Sequence, residues 1–242
     1  MELPGTPSDA VDGVLATGRG DISTLFVSMA TRHPEGLDAE YLQWHTLDHR
    51  PEQHRLSAVR ASLRLVSTPA CRLVRPPGDA QFDAVDHVMT YFFSDRGGLK
   101  PFNDLSNALG DAGRKLALLP PVERGVFDVV DKAAAPRVKV GADVLPWWPV
   151  RGVFLLLEHQ WAPATTLLNI GGVIGVWSAT ANPSEERPGR HLTYCFLDDD
   201  PVTVAQRLIP ALEQRWDDVG QRPLLAAPSH PVVPHDWNRY VP

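Results

Sequence analysis

The sequence is poor in cysteine and has no concentrated run of basic residues. Only two of its 242 residues are cysteine, Cys71 and Cys195, and they are far apart in the chain. A disulfide framework or a zinc–thiolate site is therefore not expected. Lys and Arg together number 23, against 29 Asp and Glu, which gives a formal net charge of -6. Because phosphate backbones attract basic surfaces, nucleic acid is not expected as a partner.

Membrane and targeting signals are also missing from the sequence. The first 21 residues are acidic and contain several Gly and Pro, without the basic start and apolar run of a signal peptide. No apolar stretch approaches the roughly 20 residues that cross a bilayer. We therefore expect a cytoplasmic protein with no membrane partner.

Sequence signals for nucleotide binding and serine-nucleophile chemistry are absent. Neither a Gly-X-Gly-X-X-Gly fingerprint nor a Walker motif occurs, and no nucleophile elbow precedes a histidine. The glycines at 171, 172 and 175 have the wrong spacing and suit a turn and strand. The sequence therefore gives no support for a nucleotide cofactor, and we expect none.

The hydrophobic pattern of the first half predicts two strand–helix–strand units. Alternating or continuous apolar runs indicate strands, and apolar residues at intervals of three and four indicate helices. We expect Pro51 to break the first helix. The predicted strands are 22–30, 59–67, 85–93 and 122–132, and the predicted helices are 37–54 and 99–115.

The second half shows a similar order of elements. A polar, Pro-rich hairpin loop is expected at 182–190, and Pro210 is expected to kink the last helix. The predicted strands are 150–158, 171–180 and 191–197, with a short helix at 163–170 and a longer one at 201–216.

These patterns predict an α+β fold in which two tandem ferredoxin-like modules form one barrel. Pairing the free sheet faces of two such modules would bury both, which removes the need to dimerise but leaves a homodimer possible. In the tail, Trp237 and Tyr240 would be costly to expose, so we expect it to pack back on the barrel. The expected segments are a flexible arm at 1–21, a first module at 22–132, a linker at 133–149, a second module at 150–227 and the tail at 228–242.

The most distinctive segment, residues 41–52, reads YLQWHTLDHRPE. On a helix, His45, Asp48, His49 and Glu52 would share one face because they lie three and four residues apart. A histidine exchanges protons near pH 7, and a carboxylate can orient it or raise its pKa. The functional interpretation is an acid/base His49 supported by the other three. The alternative is a solvated helix face with capping and salt bridges.

This segment, followed by Leu56, Val59 and Arg64 on the next strand, resembles the EthD-like and related dimeric α/β-barrel proteins. In those proteins an aromatic residue precedes a histidine, then Pro-Glu, then a strand bearing arginine. The resemblance covers residues 26–66 and implies a pocket between sheet and helices, with His49 as the acting histidine. His45 is an additional histidine. The superfamily includes cofactor-free isomerases and cyclases, polyketide-tailoring enzymes, cofactor-free monooxygenases and haem-binding proteins.

The resemblance implies a cofactor-independent enzyme acting on an aromatic or polyketide-like natural-product intermediate. The expected chemistry is cyclisation, dehydration, isomerisation or decarboxylation. We expect His49, His45 and Asp48 to be catalytic, and the substrate to be bound by Tyr41, Trp44, Glu52 and Arg64. The alternatives are a haem-dependent or cofactor-free oxygenase of the same fold, and a non-catalytic module that binds aromatic ligands.

Several local alternatives stay open at the level of sequence. Arg64 either points into the barrel to bind an anionic group or pairs with an acid. His45 and His49 could bind a metal with His54 or Glu52, although no metal site is predicted. On their strand, His191 and Tyr194 should face opposite sides. A haem iron would need an axial ligand, for which the sequence does not distinguish His87, His159 and His191.

Overall fold

The computed structural model describes Pro4 and residues 21–182 and 189–240. Most of the arm expected at 1–21 and most of the loop expected at 182–190 lie outside these residues. Within them, eight antiparallel strands form a closed barrel in the order β1-β3-β2-β8-β5-β7-β6-β4, so the predicted α+β class is confirmed. The strands are β1 (Thr24–Ala30), β2 (Val59–Val66), β3 (His87–Phe93), β4 (Pro121–Ala134), β5 (Gly152–Glu158), β6 (Val173–Ala181), β7 (His191–Leu197) and β8 (Leu225–Pro231).

Helices pack on the outside of this barrel. In the described part of the chain, none of them is long and apolar enough to cross a membrane. The predicted helix at 163–170 is a 3-10 helix, and the helix predicted at 99–115 ends at Asp111. The α-helices are α1 (Asp38–Trp44), α2 (Arg50–Gln53), α3 (Pro69–Leu73), α4 (Leu99–Asp111) and α5 (Pro201–Val219). The 3-10 helices are Ala80–Phe82, Arg96–Gly98, Pro136–Val138, Ala142–Trp147, Thr165–Asn169 and Trp237–Tyr240.

The helix that carries the two histidines does not break at Pro51, so that prediction was wrong. Between α1 and α2 the chain forms a π-helical turn, His45–His49, in which the Arg50 N–H donates to the His45 carbonyl. Pro51 has no N–H to donate and its ring crowds the carbonyl four residues earlier. The wider turn accommodates the proline, and helical structure continues to Gln53.

The seven predicted strands are present, but the eighth, β8, was missed. Pro228 and Pro231 argue against a strand, so the second module was predicted to end at 227. In the structure β8 continues across this position. Pro228 lies opposite Phe154 of β5, and its carbonyl accepts a hydrogen bond from the Ser67 hydroxyl at 2.9 Å. On its other side, β8 pairs with β2 only at Leu65–Pro231 and Val66–His230. This two-pair seam closes the barrel.

Aromatic side chains fill the interior of the barrel. The ring centres of neighbouring aromatic residues lie 5.6 to 6.4 Å apart, in the pairs Phe92–Trp177, Phe92–Tyr194, Trp177–Phe196 and Tyr194–Phe196. Burial raises the pKa of the Tyr194 hydroxyl, which forms a 2.5 Å hydrogen bond with the Thr90 hydroxyl. Because the interior is packed in this way, a site for a small molecule has to lie outside the barrel wall.

The two halves of the barrel wall have the same strand order but different outer layers. Going round the barrel in one direction, the first half has the order β4-β1-β3-β2 and the second half the order β8-β5-β7-β6. If the strands of each half are counted separately, both orders are 4-1-3-2. The two-module organisation and its boundaries stay a prediction. Under α5 the second layer has an apolar core, which contains Phe154, Leu156, Cys195, Leu197, Val204, Leu208, Leu212 and Trp216.

The C-terminal tail lies against the first half of the chain. Tyr240 is fully buried with Leu42, Val66 and Val232. Its hydroxyl accepts a hydrogen bond from the Val233 N–H at 2.8 Å and donates one to the Pro231 carbonyl at 3.0 Å. The tail therefore connects the end of β8 to the helix layer over β2.

Removing the Tyr240 side chain should destabilise the protein. Tyr240→Phe loses two hydrogen bonds and should lower the free energy of unfolding by about 1–2 kcal/mol. Tyr240→Ala also leaves a cavity and should cost about 3–5 kcal/mol. Urea unfolding measures both, with Val233→Ala as a control at a half-exposed position. An unfolding midpoint of Tyr240→Ala equal to that of the wild type would show that the tail does not pack as described.

Candidate active site

A cleft of about 450 Å³ opens between the outer face of β1–β3–β2 and the helices above it. This size is typical of small-molecule sites. One wall is aromatic, because Phe26, Tyr91 and Phe102 pack together, with 4.7 Å between the rings of Tyr91 and Phe102. Burial raises the pKa of Tyr91, so its hydroxyl remains protonated and can donate a hydrogen bond.

His45 and His49 both line this cleft from the π-helical turn. Their rings lie 5.6 Å apart, and the Nε2 atom of His45 is 3.4 Å from the Tyr91 hydroxyl. Tyr41 stacks against His45 with 6.1 Å between ring centres, and it also lines the cleft. Trp44 packs on His49 at 5.1 Å and does not line the cleft. Trp44 therefore supports a histidine where the sequence suggested a pocket wall.

Both histidines are neutral near pH 7. Burial lowers the pKa of His45 well below its usual value, and the nearby Arg64 lowers it further. Burial also lowers the pKa of His49, Lys115 acts in the same direction, and Asp48 opposes them. The Nδ1 atoms of both rings are buried and have no hydrogen-bond partner within the described structure. A neutral imidazole can accept a proton, so the pair is suited to act as a base.

Asp48 and Glu52 do not line the cleft. Arg114 binds both carboxylates at 3.1 Å, and Arg55 binds Glu52 at 2.7 Å. The expectation that these acids share a face with the histidines assumed regular α-helical spacing. The π-helical turn adds a residue to one turn, which rotates the following side chains relative to the preceding ones. Neither acid forms a hydrogen bond with His49 in the part of the chain that the structure describes.

Arg64 points outward from β2 into the layer between sheet and helix. It faces away from the barrel interior, and among the described residues it forms no direct ion pair with an acid. Its guanidinium lies 5.2 Å from the centre of the Tyr41 ring, and its Nη2 donates to Nδ1 of His87 at 3.4 Å. Burial lowers the pKa of Arg64, with Tyr41 and Tyr91 opposing, but a guanidinium remains charged in proteins.

A buried Asp38–His87 pair holds the far side of Arg64. The His87 Nε2 donates to the Asp38 carboxylate at 2.7 Å, which leaves Nδ1 as the acceptor for Arg64. Burial lowers the pKa of His87 to about 4, although the Asp38 carboxylate acts to raise it. Burial acts most strongly on Asp38 and raises its pKa, but the hydrogen bonds from His87 and from the His33 N–H, together with the charges of His87 and Arg32, lower the pKa overall.

Several side chains that line the cleft were not predicted from the sequence. Three polar residues on one face of α4 point into it, at positions 103, 106 and 107, and their helical spacing was a visible signal. Lys115 and Arg124 come from the loop after α4 and from β4, and Tyr91 comes from a buried strand. These three are brought to the site by long-range folding, for which the sequence carried no local signal.

Apart from His45 and His49, the histidines considered for metal or haem ligation do not line the cleft. Both ring nitrogens of His87 are engaged, and His191 forms a hydrogen bond with Thr180 on the outer face of β7. His159 lies at a separate pocket of about 50 Å³. His54 binds Ser62 at 2.6 Å, away from any third ligand. Among the described residues, no three His, Cys, Asp or Glu side chains are grouped closely enough to hold a metal ion.

The low pKa of His87 should make stability depend on pH. The unfolded chain binds this proton at about pH 6.5, whereas the folded protein resists it until about pH 4. The stability that neutral His87 contributes is therefore present above pH 6.5 and is lost as the pH falls toward 4. The free energy of unfolding should decrease by about 2 kcal/mol between pH 7 and pH 5. Urea unfolding at these two pH values should show a smaller loss in His87→Gln than in the wild type. An equal loss would contradict the assignment, and His159→Gln at an exposed position is the control.

No family model matches the chain, and no curated protein resembles it significantly. Among solved structures, an anthrone oxidase-like protein is 11% identical with a TM-score of 0.50, covering 90% of this chain and 94% of its own. A candidate chlorite dismutase is also 11% identical, with a TM-score of 0.51, covering 90% of this chain and 99% of its own. At this identity the likeness concerns the fold alone. It agrees with the dimeric α/β-barrel fold that the sequence predicted, while the EthD-like assignment stays a prediction.

Proposed function

We propose that the protein is an enzyme that removes a proton from a small aromatic molecule bound in this cleft. The observation that carries the proposal is the placement of two neutral, buried histidines at an aromatic-walled cleft. A perturbed titratable group in a concave site is a common mark of acid/base chemistry.

His49 is the base in this proposal. A ring nitrogen of His49 takes a proton from a carbon next to a carbonyl group, and the electron pair moves onto the carbonyl oxygen to form an enolate. The Tyr91 hydroxyl and the cationic side chains of the cleft stabilise that negative oxygen. His45 holds the Tyr91 hydroxyl through its Nε2 atom, which makes it a positioning residue.

The enolate has two possible fates. In the first, no cofactor is needed: the enolate of an aromatic or polyketide-like intermediate attacks a carbonyl carbon (cyclisation), expels a β-hydroxyl that leaves as water with the proton held by His49 (dehydration), or takes that proton back at another carbon (isomerisation). A decarboxylation would form the same enolate by loss of carbon dioxide, and His49 would then return a proton to the carbon. In the second, it reacts with molecular oxygen. The fold likeness to an anthrone oxidase-like protein supports considering this second reaction. A non-catalytic module that binds aromatic ligands would instead keep its affinity, and show no turnover, with or without the histidines.

Replacing His49 should abolish proton removal. The probe is anthrone, whose methylene protons are acidic, held in deuterium oxide without oxygen. The wild type should accelerate exchange of these protons for deuterium, and His49→Gln should lose at least about 100-fold of that acceleration. NMR follows the exchange, circular dichroism confirms folding, and His159→Gln is the matched control. Unchanged exchange in His49→Gln would remove His49 as the base.

The exchange rate should rise with pH and then level off. His49 accepts a proton only when neutral, and burial lowers its pKa below the usual 6.5. The rate should therefore increase through a pKa below 6.5 and be constant at neutral pH. A rate that falls between pH 5 and pH 7 would contradict a basic role.

Oxygen uptake separates the two fates of the enolate. If the second reaction occurs, anthrone and one molecule of oxygen should give anthraquinone and one molecule of water, measured with an oxygen electrode and by absorbance. Deuterium exchange with no catalysed oxygen uptake favours the first reaction. Catalysed uptake that His49→Gln abolishes favours the second.

A further inference from the structure

The cleft that holds His45 and His49 is positively charged in a protein of negative net charge. Arg64, Lys115 and Arg124 line it, and Arg50 lies directly behind it, close enough to Arg64 and Tyr91 to affect the pKa of Arg50. Among the described residues, no Asp or Glu lines the cleft. The formal charge of the whole chain is -6, so the cationic lining is a local feature.

The partners of these cations are neutral groups. Arg124 donates to the Ser28 hydroxyl at 3.3 Å, and Lys115 donates to the Ser106 hydroxyl at 3.2 Å. Arg50 donates to the hydroxyl and the carbonyl of a single residue, Ser62, at 2.6 and 3.2 Å.

Elsewhere in the described structure, arginines commonly pair with carboxylates. Direct ion pairs join Arg96 to Asp128, Arg137 to Asp198, Arg190 to Glu123 and Arg215 to Glu158. The chain therefore has acids available for pairing, and they are not used at the cleft.

Arg64 is the most deeply placed of the cleft cations. The residue is only 5% exposed, and within the described part of the chain its Nε–H has no acceptor. Its bonding partner His87 is neutral, and the Asp38 carboxylate reaches it only through the His87 ring. Burying a charge without a direct counter-charge is costly unless another group compensates for the lost water. A bound anion at the cleft would supply that compensation.

We propose that the cleft selects an aromatic molecule that carries a carboxylate, and that Arg64 binds this carboxylate. The inference rests on the proposed function, since it names the substrate class of the same cleft. The planar guanidinium matches a carboxylate in shape and charge. The aromatic body lies against Phe26, Tyr91 and Phe102, while Lys115 and Arg124 attract the anion toward the opening.

Binding of a matched pair of ligands tests this proposal. The probes are 2-naphthoate and 2-naphthamide, which have nearly the same shape and differ in charge. By calorimetry, the wild type should bind the naphthoate at least about tenfold more tightly than the amide. Arg64→Met should reduce this preference to about threefold or less while leaving affinity for the amide unchanged. Arg60→Gln, an exposed arginine on the same strand, is the control and should keep the preference.

Equal affinity of the wild type for naphthoate and naphthamide would overturn the proposal. This comparison needs no substitution, so it decides the question even if Arg64→Met fails to fold. Tighter binding of 1-naphthyl phosphate than of the naphthoate would also overturn it, in favour of a phosphate ligand. The assay requires no turnover, so it does not depend on proton removal by His49. A failure of His49 to act as the base would therefore leave this result unchanged.

Discussion

A buried guanidinium group sets the organisation of the first helix–sheet layer. Arg64 lies between β2 and the helix above it, where water cannot solvate its charge. Arg64 forms a hydrogen bond with His87, and its guanidinium lies over the ring of Tyr41. The other ring nitrogen of His87 binds Asp38 at the start of α1. Because Asp38 belongs to the helix and His87 to β3, the same bonds that hold Arg64 also fix the helix on the sheet. The position of the histidines over the cleft depends on that attachment.

Much of the barrel could be predicted from the sequence because apolar residues recur at every second position, or in short continuous runs, along its strands. In β2, Leu63 and Leu65 point into the core and Arg64 points out, so the strand was visible, although the sequence left the direction of Arg64 open. β8 was not visible, since Pro228 and Pro231 remove backbone donors and normally exclude a strand. The structure admits them because β8 needs few hydrogen bonds to β2, with which it pairs at only two positions. The small number of hydrogen bonds between β8 and β2 is a property of the closed barrel, and no local sequence pattern indicates it.

The candidate site was predicted in part, for a similar reason. His45, His49, Tyr41 and Arg64 are near one another in sequence or on adjacent elements, and the structure brings all four to one cleft. Asp48 and Glu52 were placed with them by assuming a regular helix, and the π-helical turn moves them to Arg114. The remaining cleft residues come from β1, β3, α4, the loop after α4 and β4. These residues lie at the cleft only because distant parts of the chain pack together.

The two outer layers of the barrel differ in a way that identical subunits cannot achieve. One layer, under α5, is an apolar core, whereas the layer over β1–β3–β2 contains histidines, arginines and a cleft. Subunits encoded by one gene would carry every substitution twice, so a polar group that favoured binding in one layer would also weaken the other. A single chain with both layers is free of that symmetry. One layer can retain the stability of the fold while the other accumulates the costly polar residues that recognition requires.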